Sequence, residues 1–308
     1  MMQHLFHNFR SWPFDKQLTF YFPLVMFSLA CISGSILNFE PMENKAALTG
    51  AAIFLTLIVW ARFYLKGHTI NARVEWFLRE FWPVPAILLG YLTMRLFRLE
   101  LAVEYFSLVQ QDDLMIRLDE QLFGQPVPLY LQHWITDSFT LWMESAYLHF
   151  YYLLPIGSMF YFLWREENER FLELRKGLTY TLAGGFSCYF ILPVEGPVSY
   201  IADQFTVPLL ANHAIVYDAV NSFRYAYDCF PSLHTAVPWM AVFISWNWFG
   251  YGMRLAGLFM ALSITLSTMY LRYHYGFDVI AGVLWACIVT MIVKYQVSKS
   301  TQGTVATA

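Results

Sequence analysis

Two short motifs carry the residues of this sequence that are best suited to chemistry. The first motif, residues 270–278, reads Tyr-Leu-Arg-Tyr-His-Tyr-Gly-Phe-Asp and contains Arg272. His274 and Asp278 are four residues apart, so on a helix they share a face, and the carboxylate can hold one imidazole nitrogen while the other faces outward. This arrangement prepares a histidine as a nucleophile or a base. Taken alone, the motif has an alternative interpretation as part of an aromatic girdle at the membrane interface.

The second motif, residues 229–235, reads Cys-Phe-Pro-Ser-Leu-His-Thr and opens another apolar segment. A helix N-terminus presents N–H groups and the positive end of the helix dipole, so it attracts anions, and the Ser232 hydroxyl adds a donor. A phosphate held there would lie next to His234. The alternative for this motif is a serine N-cap beside an interfacial histidine.

Together, Pro-Ser-x-His, an apolar hairpin and His-x-x-x-Asp resemble the type 2 phosphatidic acid phosphatase superfamily. The longer form Tyr-Leu-Arg-Tyr-His-Tyr-x-x-Asp resembles its inositol phosphorylceramide synthase-like (inositolphosphotransferase) branch. The resemblance implies phosphoester cleavage through a phosphohistidine, without a metal or other cofactor. His274 would be the nucleophile, Asp278 its orienting partner, and His234 the acid that later acts as the base. Arg272 and Ser232 would donate to the phosphate oxygens.

In the superfamily pattern, cations of a first motif hold the phosphate, and this motif has a Lys followed seven residues later by Arg-Pro. This sequence departs from that pattern. Aligned on the proline, this sequence has Tyr189 and Gly196 at those two positions. We expect other cations to bind the phosphate, namely Arg272, Arg224 and Arg95. The spacing of Arg95 from the preceding tyrosine resembles a Tyr-x-x-x-Arg element of the branch.

The composition is that of an integral membrane protein. Of 308 residues, 58% are hydrophobic and 13% are charged, whereas charged residues make up roughly a quarter of a soluble domain. The net charge of −3 and the lack of a basic run exclude nucleic acid as a partner. The four cysteines have no Cys-x-x-Cys spacing, so the sequence indicates neither a zinc site nor a disulfide framework.

The predicted fold is all-α with about eight transmembrane helices: a six-helix phosphatidic acid phosphatase-like core behind an N-terminal hairpin. Apolar segments long enough to span a bilayer cover residues 18–37, 46–65, 82–98, 139–164, 177–194, 234–250, 254–271 and 277–295. Counting spans brings both motifs to one membrane face. Thirteen of the 19 Lys and Arg residues lie on the other face, so the positive-inside rule turns the motifs outward, toward a periplasm, extracellular space or lumen. Residues 164–176 are predicted to form a cytoplasmic loop.

The predicted domains are an accessory hairpin and linker (1–80), a catalytic membrane domain (81–298) and a polar tail (299–308). Within the second, residues 99–138 suggest amphipathic helices on the outer surface. They include Leu-Asp-Glu-Gln-Leu-Phe-Gly, which resembles a segment of the same branch. Asp112 and Asp113 are interpreted as a solvated face, because no matching ligands accompany them as a metal site would require.

Three further ionisable residues have no fixed role. Glu144 and His149 are predicted to be buried in the fourth span, where Glu144 shares a helical face with Tyr147 and would hydrogen-bond another span. Asp228 is a second candidate partner for His234.

The predicted function is a metal-independent lipid phosphotransferase that moves a phospho-headgroup from a phospholipid to a lipid or polyol hydroxyl. The substrate would be a phospholipid, a ceramide-like lipid or a prenyl phosphate. One alternative is a lipid phosphate or prenyl diphosphate phosphatase that uses water. Another is a non-enzymatic lipid transporter, which would not require the two histidine motifs to meet. A vanadate-dependent peroxidase shares the motifs, but a site embedded in lipid disfavours it.

Overall fold

The computed structural model describes residues 12–36, 71–94, 110–209 and 226–306. Most of these residues are helical, and none of them forms a β-strand. The second predicted span, Arg95 and Arg224 lie outside the described residues. Contacts divide the chain into two compact units, residues 1–108 and 109–308.

The first unit contains three described helices: α1 (Phe14–Ile36), α2 (Ala72–Phe81) and α3 (Pro83–Met94). Asn71 starts α2 because its side chain accepts the N–H of Arg73 at 2.9 Å. Within this unit Lys16 forms an ion pair of 2.8 Å with Glu80. The first and third predicted spans therefore coincide with helices.

The second unit carries both motifs and contains these helices: α4 (Asp112–Phe123), α5 (Val127–Leu131), α6 (Asp137–Ser145), α7 (Ser158–Trp164), α8 (Asn168–Ile191), α9 (Pro197–Tyr200), α10 (Leu233–Ser245), α11 (Tyr251–Tyr270) and α12 (Gly276–Ala306). Two π-helical segments, Ala146–Phe150 and Leu153–Gly157, join α6 to α7. The fourth predicted span is thus one helical run with two wide turns.

Two helices in the described part of the chain are long and apolar enough to cross a membrane. They are α11 and the stretch Gly276–Lys299 of α12. The run Leu153–Trp164 is apolar but shorter. These helices and the composition are those expected of a membrane protein. The helix α12 continues to Ala306, so it includes most of the predicted polar tail.

The cytoplasmic loop predicted at residues 164–176 is wrong in extent, because α8 begins at Asn168. The hydropathy pattern placed the start of the span after Lys176, the last charged residue of this stretch, whereas the helix itself begins further back and includes the charged residues. Arg175 is 1% exposed, so this part of α8 packs inside the bundle.

Helices α8, α10 and α12 pack tightly behind the two motifs. A side chain at Gly185 in α8 would come within 2.4 Å of Leu233, the first residue of α10. One turn away, the Trp285 indole of α12 donates to the Thr181 carbonyl at 3.0 Å. Small residues in α8 therefore let α10, which carries His234, and α12, which carries Asp278, pack closely against the same helix.

Candidate active site

His274 lies in the short connection between α11 and α12 and is 4% exposed. Its backbone N–H donates to the Thr268 carbonyl at 3.1 Å, which ties this connection to the end of α11. The Nδ1 atom lies 3.7 Å from Asp278 Oδ2 and 3.4 Å from the Cys229 sulfur. Because Nδ1 faces these groups, Nε2 is the nitrogen left for a substrate.

Asp278 receives hydrogen bonds on one of its two carboxylate oxygens. Oδ2 accepts from the Cys229 thiol at 2.8 Å and from the Tyr275 backbone N–H at 2.9 Å. Oδ1 is buried and has no hydrogen-bond partner among the described residues. Cys229 has no role predicted from the sequence, although its position next to Pro-Ser-x-His was the signal available.

Backbone contacts join the two motifs directly. The Ser232 N–H donates to the Asp278 carbonyl at 3.2 Å. A Cβ at Gly282 would lie 2.6 Å from the Ser232 carbonyl oxygen, so a glycine is needed for α12 to approach the start of α10 this closely. Ser232 is the N-cap of α10: its hydroxyl accepts from the Thr235 N–H at 3.3 Å and donates to the Thr235 hydroxyl at 3.1 Å.

His234 lies on the first turn of α10 and faces the first motif. Its ring centroid is 6.2 Å from that of His274. The rings of Tyr147 and Tyr151 flank it, each with its centroid 4.3 Å away. Its Nδ1 is 3.5 Å from the Tyr147 hydroxyl. Asp228, the partner considered from the sequence, forms a backbone bridge with Val194.

Arg272 has a backbone φ of 68°, a conformation that few residues other than glycine adopt. Its guanidinium lies 4.1 Å from the centroid of the Phe205 ring and donates to the Val207 carbonyl. Its buried Nε has no partner among the described residues. Burial lowers the pKa of the guanidinium. An anion next to Arg272 would satisfy this donor and offset the cost of burying the charge.

Asp112 in α4 is not part of a solvated face, contrary to the expectation. That residue is fully buried, and its carboxylate accepts the N–H groups of Glu195 and Gly196 at 2.8 and 2.9 Å and the Tyr275 hydroxyl at 3.0 Å. Asp113 is exposed, as expected, and accepts from the Tyr200 hydroxyl. A local pattern cannot separate these two carboxylates, because the donors come from distant segments.

Asp119, two turns further along α4, holds the start of α12. Its oxygens accept the N–H groups of Gly276 and Phe277 at 2.8 and 2.7 Å and that of Val127 at 3.1 Å. Burial raises the pKa of this carboxyl, and the three N–H donors partly offset the effect. This is the aspartate of the Leu-Asp-Glu-Gln-Leu-Phe-Gly segment, so that segment positions the connection that contains His274.

The structure separates the two ionisable residues that were predicted to be buried in the fourth span. Glu144 is 7% exposed, as predicted. His149 is exposed, so its predicted burial is wrong: it lies on the outer side of the first π segment, and its Nδ1 contacts the Ser145 carbonyl of its own helix. At the position where the superfamily has an arginine, Gly196 has a φ of 99°, a conformation that favours glycine.

One group of described residues has the atom types and spacing of a metal site. The ligand atoms of Cys229, His274 and Asp278 all lie within 4.8 Å of one another. Thiolate, imidazole and carboxylate are zinc ligands, but a structural zinc site uses four of them. The thiol is already hydrogen-bonded to the carboxylate in this arrangement. Asp112, considered from the sequence as a metal ligand, instead accepts backbone N–H groups.

Comparison with known proteins agrees with this geometry. No curated protein and no solved structure matches the chain. The family model of the PAP2 superfamily matches residues 113–292, a range that begins in α4 and includes both histidine motifs. This range is more than half of the 308 residues. The chain therefore belongs to the PAP2 superfamily.

Proposed function

We propose that this protein is a metal-independent membrane lipid phosphotransferase that acts through a phosphohistidine at His274. Membership of the PAP2 superfamily indicates a phosphatase or phosphotransferase of lipid phosphates. The observation that carries the proposal is the environment of His274. Its Nδ1 faces the Asp278 carboxylate, and His234 lies on the adjacent helix start with its ring centroid 6.2 Å away.

In the first half-reaction, Nε2 of His274 attacks phosphorus. A nitrogen–phosphorus bond forms as the bond from phosphorus to the leaving oxygen breaks, and that oxygen takes a proton from His234. Asp278 holds Nδ1 and stabilises the positive charge that develops on the imidazole. Arg272 and the N-terminus of α10, capped by Ser232, supply positive charge and donors to the phosphate oxygens.

In the second half-reaction, His234 removes a proton from the acceptor, whose oxygen attacks the phosphohistidine. The bond to His274 breaks, and the enzyme returns to its starting state. The acceptor we propose is a lipid or polyol hydroxyl, because the motif form Tyr-Leu-Arg-Tyr-His-Tyr-x-x-Asp resembles the inositolphosphotransferase branch. With water as the acceptor, the same residues would make a lipid phosphatase.

We also propose that the site faces outward and that Arg95 and Arg224 complete the phosphate clamp. The orientation follows from the excess of Lys and Arg on the opposite face. The clamp follows from the loss of the superfamily's usual cations, since Tyr189 and Gly196 stand in their places. The buried Nε of Arg272 supports a phosphate on its side of the site.

The test is to incubate purified protein with labelled phospholipids and prenyl diphosphates, with and without inositol or ceramide, and to identify the products by mass spectrometry. A transferase gives a new phosphoester only when the alcohol is present. Free phosphate or phospho-headgroup at the same rate with and without alcohol would establish the phosphatase. If no substrate gave any of these products, but vesicles that contain the protein still moved lipid, the protein would be a transporter.

A further inference from the structure

The side chain of Arg272 is held by a short segment that follows α9, residues 205–207. The face of the Phe205 ring lies against the guanidinium, with 4.1 Å between the ring centroid and Cζ. The Val207 carbonyl accepts a hydrogen bond from Nη2 of the guanidinium. An aromatic face and a carbonyl oxygen both attract a cation, so this segment sets the direction of the guanidinium.

The Gln132 side chain fixes the segment 205–207. Its amide oxygen accepts the backbone N–H groups of Thr206 at 2.9 Å and Val207 at 3.2 Å, and the Thr206 hydroxyl donates to it at 3.4 Å. The two N–H groups identify this atom as the oxygen, since an amide nitrogen could not accept them. Gln132 is 7% exposed. One buried oxygen thus holds two successive residues of the segment.

Gln132 itself is well anchored near the first motif, because it follows directly after α5. The preceding residue, Leu131, packs in a buried cluster that also contains Tyr270 and Leu271, the two residues before Arg272. The amide oxygen of Gln132 and the backbone of Arg272 are therefore attached to the same buried cluster.

The phosphate role proposed for Arg272 explains why such support would matter. An arginine side chain has several rotatable bonds, and a guanidinium that is already ordered binds an anion without first losing that freedom. The Phe205 ring and the Val207 carbonyl engage one face and Nη2. The buried Nε has no partner among the described residues, so it stays available as a donor to a phosphate oxygen.

We propose that Gln132 is a positioning residue for Arg272. It acts through the segment 205–207: its amide oxygen holds the N–H groups of Thr206 and Val207, and the segment in turn holds the guanidinium toward the phosphate. Gln132 lies outside both histidine motifs. The inference rests on the phosphate-binding role of Arg272 in the proposed function.

The first test is a double-mutant cycle with a nitrophenyl phosphoester as the substrate. Gln132→Met keeps the length of the side chain but removes the acceptor, so kcat/KM should fall about fivefold, the cost of roughly one neutral hydrogen bond. In an Arg272→Ala background the same substitution should change kcat/KM by less than about twofold, because the guanidinium that it positions is gone. Gln204→Met, which alters an exposed glutamine just before the segment, is the control and should behave as wild type.

A second measurement does not depend on activity. Hydrogen exchange of the full-length protein, followed by mass spectrometry, reports whether the N–H groups of Thr206 and Val207 stay bonded. Their exchange should be at least about fivefold faster in Gln132→Met, whereas exchange within α10 should not change. Gln132→Glu keeps an oxygen acceptor at this position and should retain the slow exchange of the wild type.

Equal exchange at the segment in wild type and Gln132→Met, or losses in kcat/KM that multiply in the double variant, would overturn the proposal. Failure of the proposed function would give a different result. If Arg272→Ala alone left kcat/KM unchanged, Arg272 would not bind the phosphate, and the exchange measurement would then decide only whether Gln132 holds the segment.

Discussion

The Cys229 thiol donates to the same Asp278 oxygen that faces His274, at 2.8 Å for the sulfur and 3.7 Å for the imidazole Nδ1. The carboxylate that orients the proposed nucleophile is therefore itself held by a thiol and by the Tyr275 N–H. Removing one of these donors should let the carboxylate turn, because its other oxygen is buried without a partner among the described residues.

We expect Cys229→Ala to lower kcat by about 10-fold, the cost of roughly one hydrogen bond to a charged group. Cys229→Ser keeps a donor at this position and should retain more activity than the alanine variant. The measurement is kcat with one lipid substrate at fixed pH. Cys188→Ala, which changes a half-buried thiol elsewhere, is the control and should have no effect. Equal rates for wild type and Cys229→Ala would mean that the thiol does not hold Asp278 in the working enzyme.

Chelators should leave the activity unchanged, because in the proposed mechanism arginine side chains supply the counter-charge to the phosphate. The protein is assayed after dialysis against a strong zinc chelator and again after zinc is added back. If activity disappeared with the chelator and returned with zinc in the wild type but not in Cys229→Ala, the cluster of Cys229, His274 and Asp278 would be a metal centre and the phosphohistidine mechanism would be wrong.

Asp119→Asn should destabilise the protein and reduce its activity. Both carboxylate oxygens of Asp119 accept backbone N–H groups, two of them from the start of α12. An amide would turn its own donor toward one of these N–H groups, at a cost of about 1–3 kcal/mol. We expect a lower unfolding midpoint in detergent and a lower kcat, because the displaced backbone lies two residues from His274.

The matched control for this prediction is Asp113→Asn on the same helix. Asp113 is exposed and accepts one hydrogen bond, from the Tyr200 hydroxyl. Its replacement should shift neither the unfolding midpoint nor kcat beyond the small effect of an ordinary surface substitution. A midpoint for Asp119→Asn equal to that of the control would show that α12 does not depend on this carboxylate.

Much of the geometry of the candidate site was predictable from the sequence because its main residues are close together in the chain. His274 and Asp278 are one helical turn apart. The anion site predicted at the second motif required only that a helix begin there. Tyr147 was not predictable as a contact of His234, because 87 residues separate them. Likewise Asp112 and Asp119 look like solvated acids until the N–H groups they accept, 83 and 157 residues away, are known.

Arg272→Ala should reduce kcat/KM by about 10- to 100-fold, the range for losing a hydrogen bond to a charged group. Arg272→Lys should recover little, because a lysine lacks the planar fork that binds two phosphate oxygens. The comparison uses initial rates over a range of substrate concentrations. Arg117→Ala, an exposed arginine of α4, is the control for loss of charge and should behave as wild type. Similar losses for both arginines would point to general electrostatic attraction and not to a phosphate contact.

The proposed orientation predicts different labelling at the two membrane faces. A cysteine at Asp203, exposed near the site, should react with a membrane-impermeant thiol reagent in intact cells. A cysteine at Glu169, exposed in the first turn of α8, should react only after the cells are opened. The background lacks the native cysteines except Cys229, which is 1% exposed. The reverse labelling pattern would mean that the site faces the cytoplasm.

The two histidines should be separable because they serve different half-reactions. His274→Ala removes the atom that attacks phosphorus, so it should form no phosphoenzyme with any substrate, however good the leaving group. His234→Ala should be nearly inactive with alkyl phosphoesters, since it cannot protonate the leaving oxygen. With a nitrophenyl ester it should form the phosphoenzyme and then turn over slowly, because the acceptor now has no base. Each variant is quenched after brief exposure to labelled ester, and the labelled residue is mapped by mass spectrometry. Label on His234 in the His274→Ala variant would mean that the two roles are reversed.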